Sequence, residues 1–175
     1  VSGAIVLSTG TAASGTSGAM TMGTGASNAG STGVIDIHTG AATTGSSGSI
    51  SVTSGDGSNS GEGGSITMSA GSTSGSGNDR TGGNISITSG SSTATVAAQG
   101  HTGDILINTP AGSTTSTGTG VSGMIVLSTG DASFGNTGGL YLGTGDAGAL
   151  RGGQIYITSG NGAGVATGGE IVLSA

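Results

Sequence analysis

Residues 48–55 read Gly-Ser-Ile-Ser-Val-Thr-Ser-Gly, and this stretch carries the pattern that predicts the fold. Ile50 and Val52 alternate with hydroxyl-bearing residues, and a period of two is typical of an extended β-strand with one apolar face. Glycine at both ends permits the chain to turn there. A helix is excluded because nothing repeats at three or four residues and because glycine at this density opposes helix formation.

The same phrase, a glycine followed by aliphatic residues two and four positions later, occurs eleven times in 175 residues. We call the first residue of each phrase the opening glycine; these run from Gly3 to Gly169. Successive phrases lie 15 or 16 residues apart, except for three intervals of 19 or 20. A period of this length predicts a stack of equivalent units. The aliphatic pairs are Ile5/Leu7, Met20/Met22, Ile35/Ile37, Ile50/Val52, Ile66/Met68, Ile85/Ile87, Ile105/Ile107, Ile125/Leu127, Leu140/Leu142, Ile155/Ile157 and Ile171/Leu173.

These features predict an all-β fold, a parallel β-solenoid (β-helix) of eleven short coils, mostly of 15–16 residues with three of 19–20. Each coil would return to begin the next strand one layer up, about 4.8 Å away. The aliphatic side chains would then form one buried spine, with Ile35, Ile50 and Ile66 pointing the same way. Nearly every pair is followed by Ser or Thr and then a closing glycine, which we expect to form the sharp corner. The Ser/Thr row, interrupted by Ala70, is expected to face inward.

A longer period overlies the short one. Residues 1–10 return almost unchanged as residues 121–130, an offset of 120 residues or seven coils. We therefore interpret residues 1–175 as a single solenoid segment of a longer repeat array with a super-repeat of about 120 residues. The extra residues of the long coils are expected to protrude on one side.

Composition argues against several classes of function. The net charge is −6 with two arginines and no lysine, so the chain lacks the basic patch that nucleic acids require and is poorly suited to anionic membranes. No apolar run is long enough to form a transmembrane helix. The absence of cysteine excludes disulfides and thiolate metal sites. We expect neither nucleic-acid nor membrane partners.

Few residues are arranged for catalysis or for metal binding. The sequence predicts no catalytic residue, no cofactor and no metal site, so it does not indicate an enzyme. Asp36 and His38 lie on the same side of a predicted strand, but no third ligand is evident nearby. Acidic or amide side chains follow the closing glycine in several coils, where they are typical turn residues and where calcium binding is the alternative. These residues are Asp56, Asp131, Asp146 and Asn161.

The residue between the two aliphatic positions, the middle residue, is predicted to face outward. In the last five predicted strands it is apolar or aromatic, which favours an interaction stripe for lateral packing or sugar stacking. Asn84 heads the Asn-Ile-Ser sequence of an N-glycosylation site, and threonines beside Pro110 are candidate O-glycan sites. The stripe is Leu106, Val126, Tyr141, Tyr156 and Val172, and the candidate threonines are Thr114, Thr115 and Thr117.

The phrase Gly-Ser-Ile-Ser-Val-Thr-Ser-Gly resembles Gly/Ser-rich β-solenoid repeats of extracellular fibres, cell walls and appendages of algae and other protists. The resemblance implies a secreted or cell-surface structural protein. Separately, the unpaired strand edges at the ends of a solenoid predict self-association end to end, and the outward stripe predicts lateral association. Attached or bound glycans are the other expected partners. Fifteen-residue solenoid antifreeze proteins share the coil length, but their flat Thr-x-Thr ladder is interrupted here by Asp36, Leu106 and Tyr141. An ice- or carbohydrate-binding solenoid and an adhesin stalk are the alternatives.

Overall fold

The protein is described by a computed structural model that divides into two units, Val1–Ser86 and Ile87–Ala175, the N-terminal and C-terminal units. Within them the structure describes residues 3–58, 61–74, 80–93, 100–112, 120–163 and 166–174.

The prediction of a parallel β-solenoid is wrong. The described residues contain neither a helix nor a strand, and each unit is irregular coil interrupted by bends. A solenoid requires hydrogen-bond ladders between successive aliphatic stretches. The six backbone hydrogen bonds found in the described ranges all close loops, whereas folded domains make about one hydrogen bond per residue. The ladder that would convert the alternating pattern into a sheet is missing from this part of the chain.

The accessible surface area shows how little the chain buries. It is 16877 Å² for a mass of 15.9 kDa. A compact monomer of this mass would expose roughly 7,300 Å², and a fully extended chain roughly 23,000 Å². The chain thus retains more than half of the surface of an extended polypeptide, and none of its described side chains is buried.

The aliphatic pairs do not form a buried spine. Ile35, Ile50 and Ile66, which the solenoid would place inside, are about half exposed, at 50%, 54% and 54%. The physical reason is that two aliphatic side chains per repeat cover little area, and no second layer is paired against them. The predicted spine is therefore replaced by a series of partly covered apolar patches.

Neighbouring repeats nevertheless shelter one another. From Met20 onward the first aliphatic residue of each pair is 46–56% exposed, whereas Ile5, with no described pair before it, is 98% exposed. The second aliphatic residue is 61–72% exposed in the pairs before the last one, whereas Leu173 in that last pair is 88% exposed. We infer that part of each patch is covered by the adjacent repeat.

Turns lie in the loops rather than at the closing glycines. All five repeats with a 15-residue interval bend three to five residues beyond the closing glycine. These bends lie at 13–15, 28–30, 43–45, 133–135 and 148–150. Positive φ occurs in the described chain at Gly15 (86°) and Gly45 (109°). The described residues show no bend at the closing glycines, so the sharp corner expected there is absent. The bends lie at the later glycines, which the sequence also indicates as turning points because a further glycine follows five residues after the closing one, as at Gly15, Gly30 and Gly45.

Amide hydrogen exchange will test this description. We expect the amides of Gly64, Gly83, Gly103 and Gly169, which donate backbone bonds, to exchange about fivefold more slowly than their neighbours, since one exposed bond stabilises by about 1 kcal/mol. The amides of Ile50 and Val52 should exchange at nearly the rate of an unstructured peptide. Strong protection at those two positions, measured by NMR, would show a ladder and contradict the coil description.

Candidate functional site

The most regular feature of the chain is a contact between the end of one aliphatic stretch and the start of the next. The corner residue, two positions after each pair, lies beside the opening glycine of the following repeat. A methyl group placed on that glycine would come within 4 Å of the corner side chain in every repeat. The ten contacts are Thr9–Gly18, Thr24–Gly33, Thr39–Gly48, Ser54–Gly64, Ala70–Gly83, Ser89–Gly103, Thr109–Gly123, Thr129–Gly138, Thr144–Gly153 and Ser159–Gly169.

These contacts explain why glycine opens some of the repeats. A methyl group on Gly123 or Gly153 would approach the Thr Cγ2 atom to 3.0 Å, closer than ordinary van der Waals contact. At Gly18 the nearest approach is 3.7 Å, which leaves room for a side chain. The requirement for glycine is therefore strict in some repeats and relaxed in others.

The corner is closed by hydrogen bonds of two kinds. Where the corner residue is Ser or Ala, the opening-glycine amide donates to the closing-glycine carbonyl, with N···O distances of 2.8–3.0 Å. Where it is threonine, three of the six corners instead donate the Oγ1 hydroxyl to the opening-glycine carbonyl: Thr39 to Gly48 (3.2 Å), Thr109 to Gly123 (3.2 Å) and Thr144 to Gly153 (3.5 Å). The backbone-closed corners are Gly55/Gly64, Gly71/Gly83, Gly90/Gly103 and Gly160/Gly169.

The two bonding modes differ in whether the corner residue carries a threonine methyl group. In five of the six threonine corners Cγ2 is the atom nearest to the position that a methyl group on the opening glycine would take, and in the sixth, Thr9–Gly18, Cγ2 and Cβ are equally near. Serine and alanine lack this methyl group, and in their corners the glycine amide bonds to the closing carbonyl.

Loop length alone does not decide which bond forms. Two intervals of 20 residues, after Ile85 and after Ile105, can be compared directly. The first has Ser89 at its corner and uses the backbone bond, while the second has Thr109 and uses the hydroxyl. Pro110 replaces the closing glycine in the second, but its carbonyl remains an acceptor. The two loops of equal length therefore differ in their corner side chain, and with it in whether the corner is closed by the backbone bond or by the hydroxyl bond.

The predicted stripe residues are all exposed, at 66–89%. The Tyr141 ring lies against Gly143, where an added methyl would meet the ring at 2.7 Å. The Tyr156 hydroxyl donates a hydrogen bond to Oε1 of Gln154. Both tyrosines thus contact a residue two positions away, which places alternating residues on one side of the chain in these stretches.

The Asp36–His38 pair is present but isolated. Oδ1 of Asp36 lies 3.3 Å from Nδ1 of His38, and the two side chains are 78% and 73% exposed. An exposed pair of this kind stabilises by at most about 1 kcal/mol. The described residues contain no group of three His, Cys, Asp or Glu side chains able to hold a metal ion.

The remaining predicted positions are placed as follows. Asn84 is exposed, and so are the turn residues Asp56, Asp131, Asp146 and Asn161. Thr114, Thr115 and Thr117 lie outside the described residues, so their assignment as O-glycan sites stays a prediction.

No enclosed site accompanies these features. Within the described ranges the chain forms no cavity. The same part of the chain contains no helix of the length and apolarity needed to span a membrane. Comparison with protein-family models, curated proteins and solved structures found no match.

Sequence reasoning missed the pairing of corner residue with opening glycine. Both residue classes were visible as separate rows in the sequence. Their constant separation of nine residues in the 15-residue repeats was a signal that could have indicated a closed loop. The solenoid interpretation instead placed each aliphatic stretch one layer above the preceding one.

Exchanging the corner residue will test the role of its methyl group. In Ser159→Thr we expect the Gly169 amide to lose its bond to Gly160 and to exchange about fivefold faster, equivalent to about 1 kcal/mol. Ser128→Thr adds the same methyl one position before a corner and serves as the control. Unchanged exchange at Gly169 in Ser159→Thr would mean that the methyl does not select the bonding mode.

Zinc titration will test whether Asp36 and His38 bind metal. We expect no saturable heat of binding below about millimolar concentration, since a stable zinc site uses three or four protein ligands. Asp36→Asn should behave like the unaltered chain. A one-to-one binding curve that Asp36→Asn abolishes would contradict the assignment of an isolated surface pair.

Proposed function

We propose that this chain is a non-enzymatic structural protein that forms part of an extracellular filament, appendage or matrix fibre by association of its own copies. The observation that carries the proposal is the exposure of all eleven aliphatic pairs, none of whose residues is less than 46% exposed. Soluble monomers rarely expose so much large apolar surface, and such surface is typical of chains that associate.

The proposal does not depend on an internal spine. In a solenoid the aliphatic side chains would be buried inside the chain, and assembly would need some other surface. Here they remain in contact with water, so burial against another molecule lowers their free energy. The driving force for assembly is therefore supplied by the repeated residues themselves.

The spacing of the pairs favours another copy as the partner. Exposed patches recur at 15–20 residue intervals along the chain, and an identical chain carries patches at the same intervals. A net charge of −6 over 175 residues gives little repulsion between copies at physiological salt. Together these features support a repetitive assembly.

Placement outside the cell depends on the resemblance to Gly/Ser-rich repeats of extracellular fibres. The absence of cysteine and the abundance of glycine, serine and threonine are compatible with that setting. Glycans on Asn84 would add a polar coat to a chain with few charges, and Asn84 is exposed as such a role requires.

Sedimentation velocity across a hundredfold concentration range, followed by electron microscopy, tests the proposal. We expect a concentration-dependent shift from monomer to large species, and elongated particles of uniform width in the images. Replacing five aliphatic pairs with serine should abolish the shift, whereas replacing an equal number of exposed Thr and Ser residues with alanine should not. A chain that stays monomeric, or forms only shapeless aggregates, would overturn the structural role.

A further inference from the structure

One asparagine of this chain is followed by glycine. The chain has seven asparagines, and Asn161 alone precedes a glycine, whereas the others precede residues that carry side chains. Asn161 and Gly162 are both exposed and lie in the loop that runs from Gly160 to Gly169. The glycine matters because it leaves the backbone nitrogen beside the asparagine side chain without a Cβ to shield it.

The loop itself requires glycine at position 162. A Cβ added to Gly162 would collide with the carbonyl oxygens of Ala166 and Thr167, so the two arms of the loop pass too closely for a side chain there. The arms are joined at the end of the loop, where the Gly169 amide donates to the carbonyl oxygen of Gly160 (2.8 Å). This close packing maintains the Asn-Gly pair, because any larger residue at position 162 would push the arms apart.

The Gly162 nitrogen is free to react. Among the described residues, its amide donates to no backbone carbonyl. Gly162 and Asn161 are exposed, so water reaches both the nitrogen and the amide side chain beside it. Neither burial nor a backbone hydrogen bond in this part of the chain therefore opposes attack of the nitrogen on that side chain.

We infer that Asn161 is a site of spontaneous deamidation. The Gly162 nitrogen loses its proton and bonds to Cγ of Asn161, the Cγ–Nδ2 bond breaks, and ammonia leaves, which closes a five-membered succinimide ring. Water then adds to one of the two ring carbonyls and opens the ring to aspartate or isoaspartate. Water is the only co-reactant, since the nucleophile and the carbonyl carbon belong to adjacent residues. The inference is independent of the proposed assembly.

A second loop shows what the aspartate product does to the structure. In residues 55–64, as in residues 160–169, the amide of the last residue donates to the carbonyl of the first, at 3.0 and 2.8 Å. In both loops a Cβ on the third residue would meet the carbonyl oxygens of the seventh and eighth. Asp56 takes in the first loop the position that Asn161 has in the second. Because the first loop closes with aspartate in place, conversion of Asn161 to aspartate should add a negative charge and leave the second loop closed.

Isoaspartate has a different effect. Its peptide bond runs through the former side chain, so the main chain between residues 160 and 162 gains one carbon atom. The arms of the loop already touch at Gly162 and have no room for the added length. The bond between the Gly169 amide and the Gly160 carbonyl should therefore be lost in this product.

Peptide mapping of the full-length chain, aged in solution slightly above neutral pH, tests the site. Arg80 and Arg151 are the only Lys or Arg residues, so trypsin cuts the chain after these two positions. The last fragment, residues 152–175, contains Asn161 as its single asparagine. Deamidation is read in that fragment as the mass gained when an amide NH2 is replaced by OH.

We expect Asn161 to deamidate at least about tenfold faster than Asn136, an exposed asparagine whose following residue, Thr137, carries a stiff branched side chain. Asn161→Gln is the matched control, because glutamine must close a larger ring, and its fragment should keep its mass over the same period. Asn161 reacting no faster than Asn136 would overturn the inference.

Hydrogen exchange at Gly169 tests the consequence for the loop. In Asn161→Asp the Gly169 amide should be as protected as in the unaltered chain. In the aged chain, NMR should show a second population whose Gly169 amide exchanges about fivefold faster, in proportion to the isoaspartate found by tandem mass spectrometry. A single slowly exchanging population in a chain that contains isoaspartate, or lost protection in Asn161→Asp, would refute the proposed effect on the loop.

Discussion

The contact between corner residue and opening glycine is the constraint on which the rest of the structure depends. It recurs in all ten junctions between repeats, whether the interval is 15 or 20 residues. The corner residue at the start of each loop contacts the opening glycine at its end. The loop can therefore vary in length without changing how one aliphatic stretch follows the next. The hydrogen bond found at the corner differs with the corner side chain. Serine and alanine corners close through the backbone, and half of the threonine corners close through the hydroxyl.

Closing loops in this way leaves the aliphatic pairs without an interior. Successive repeats shelter one another, as the contrast between Ile5 and the later first residues shows, yet every pair remains substantially exposed. Glycine, serine, threonine and alanine fill the loops and offer few large apolar side chains to pack against the pairs. Ordering such glycine-rich backbone opposes folding strongly. A single chain of this composition therefore gains little from collapsing on itself, which is why we propose that the pairs are buried between chains.

The two units share the same repeat and differ in the chemistry of its middle residue. Five of the six middle residues in the N-terminal unit are polar, whereas all five in the C-terminal unit are apolar or aromatic.

The sequence by itself determined the repeat, its eleven phrases, the glycine that opens each one and the corner row of Ser and Thr, because these are matters of spacing and residue type. The assignment of Leu106, Tyr141 and Tyr156 to an interaction stripe stays a prediction, because almost every described residue is exposed. The sequence did not determine the partner of each opening glycine, and the solenoid prediction failed there. Alternation fixes which side chains share a side of an extended stretch, but ladder bonding depends on which stretches come to lie side by side. Only the tertiary structure decided that Gly18 lies beside Thr9, because a loop can close on its own corner or return one layer up with the same local pattern.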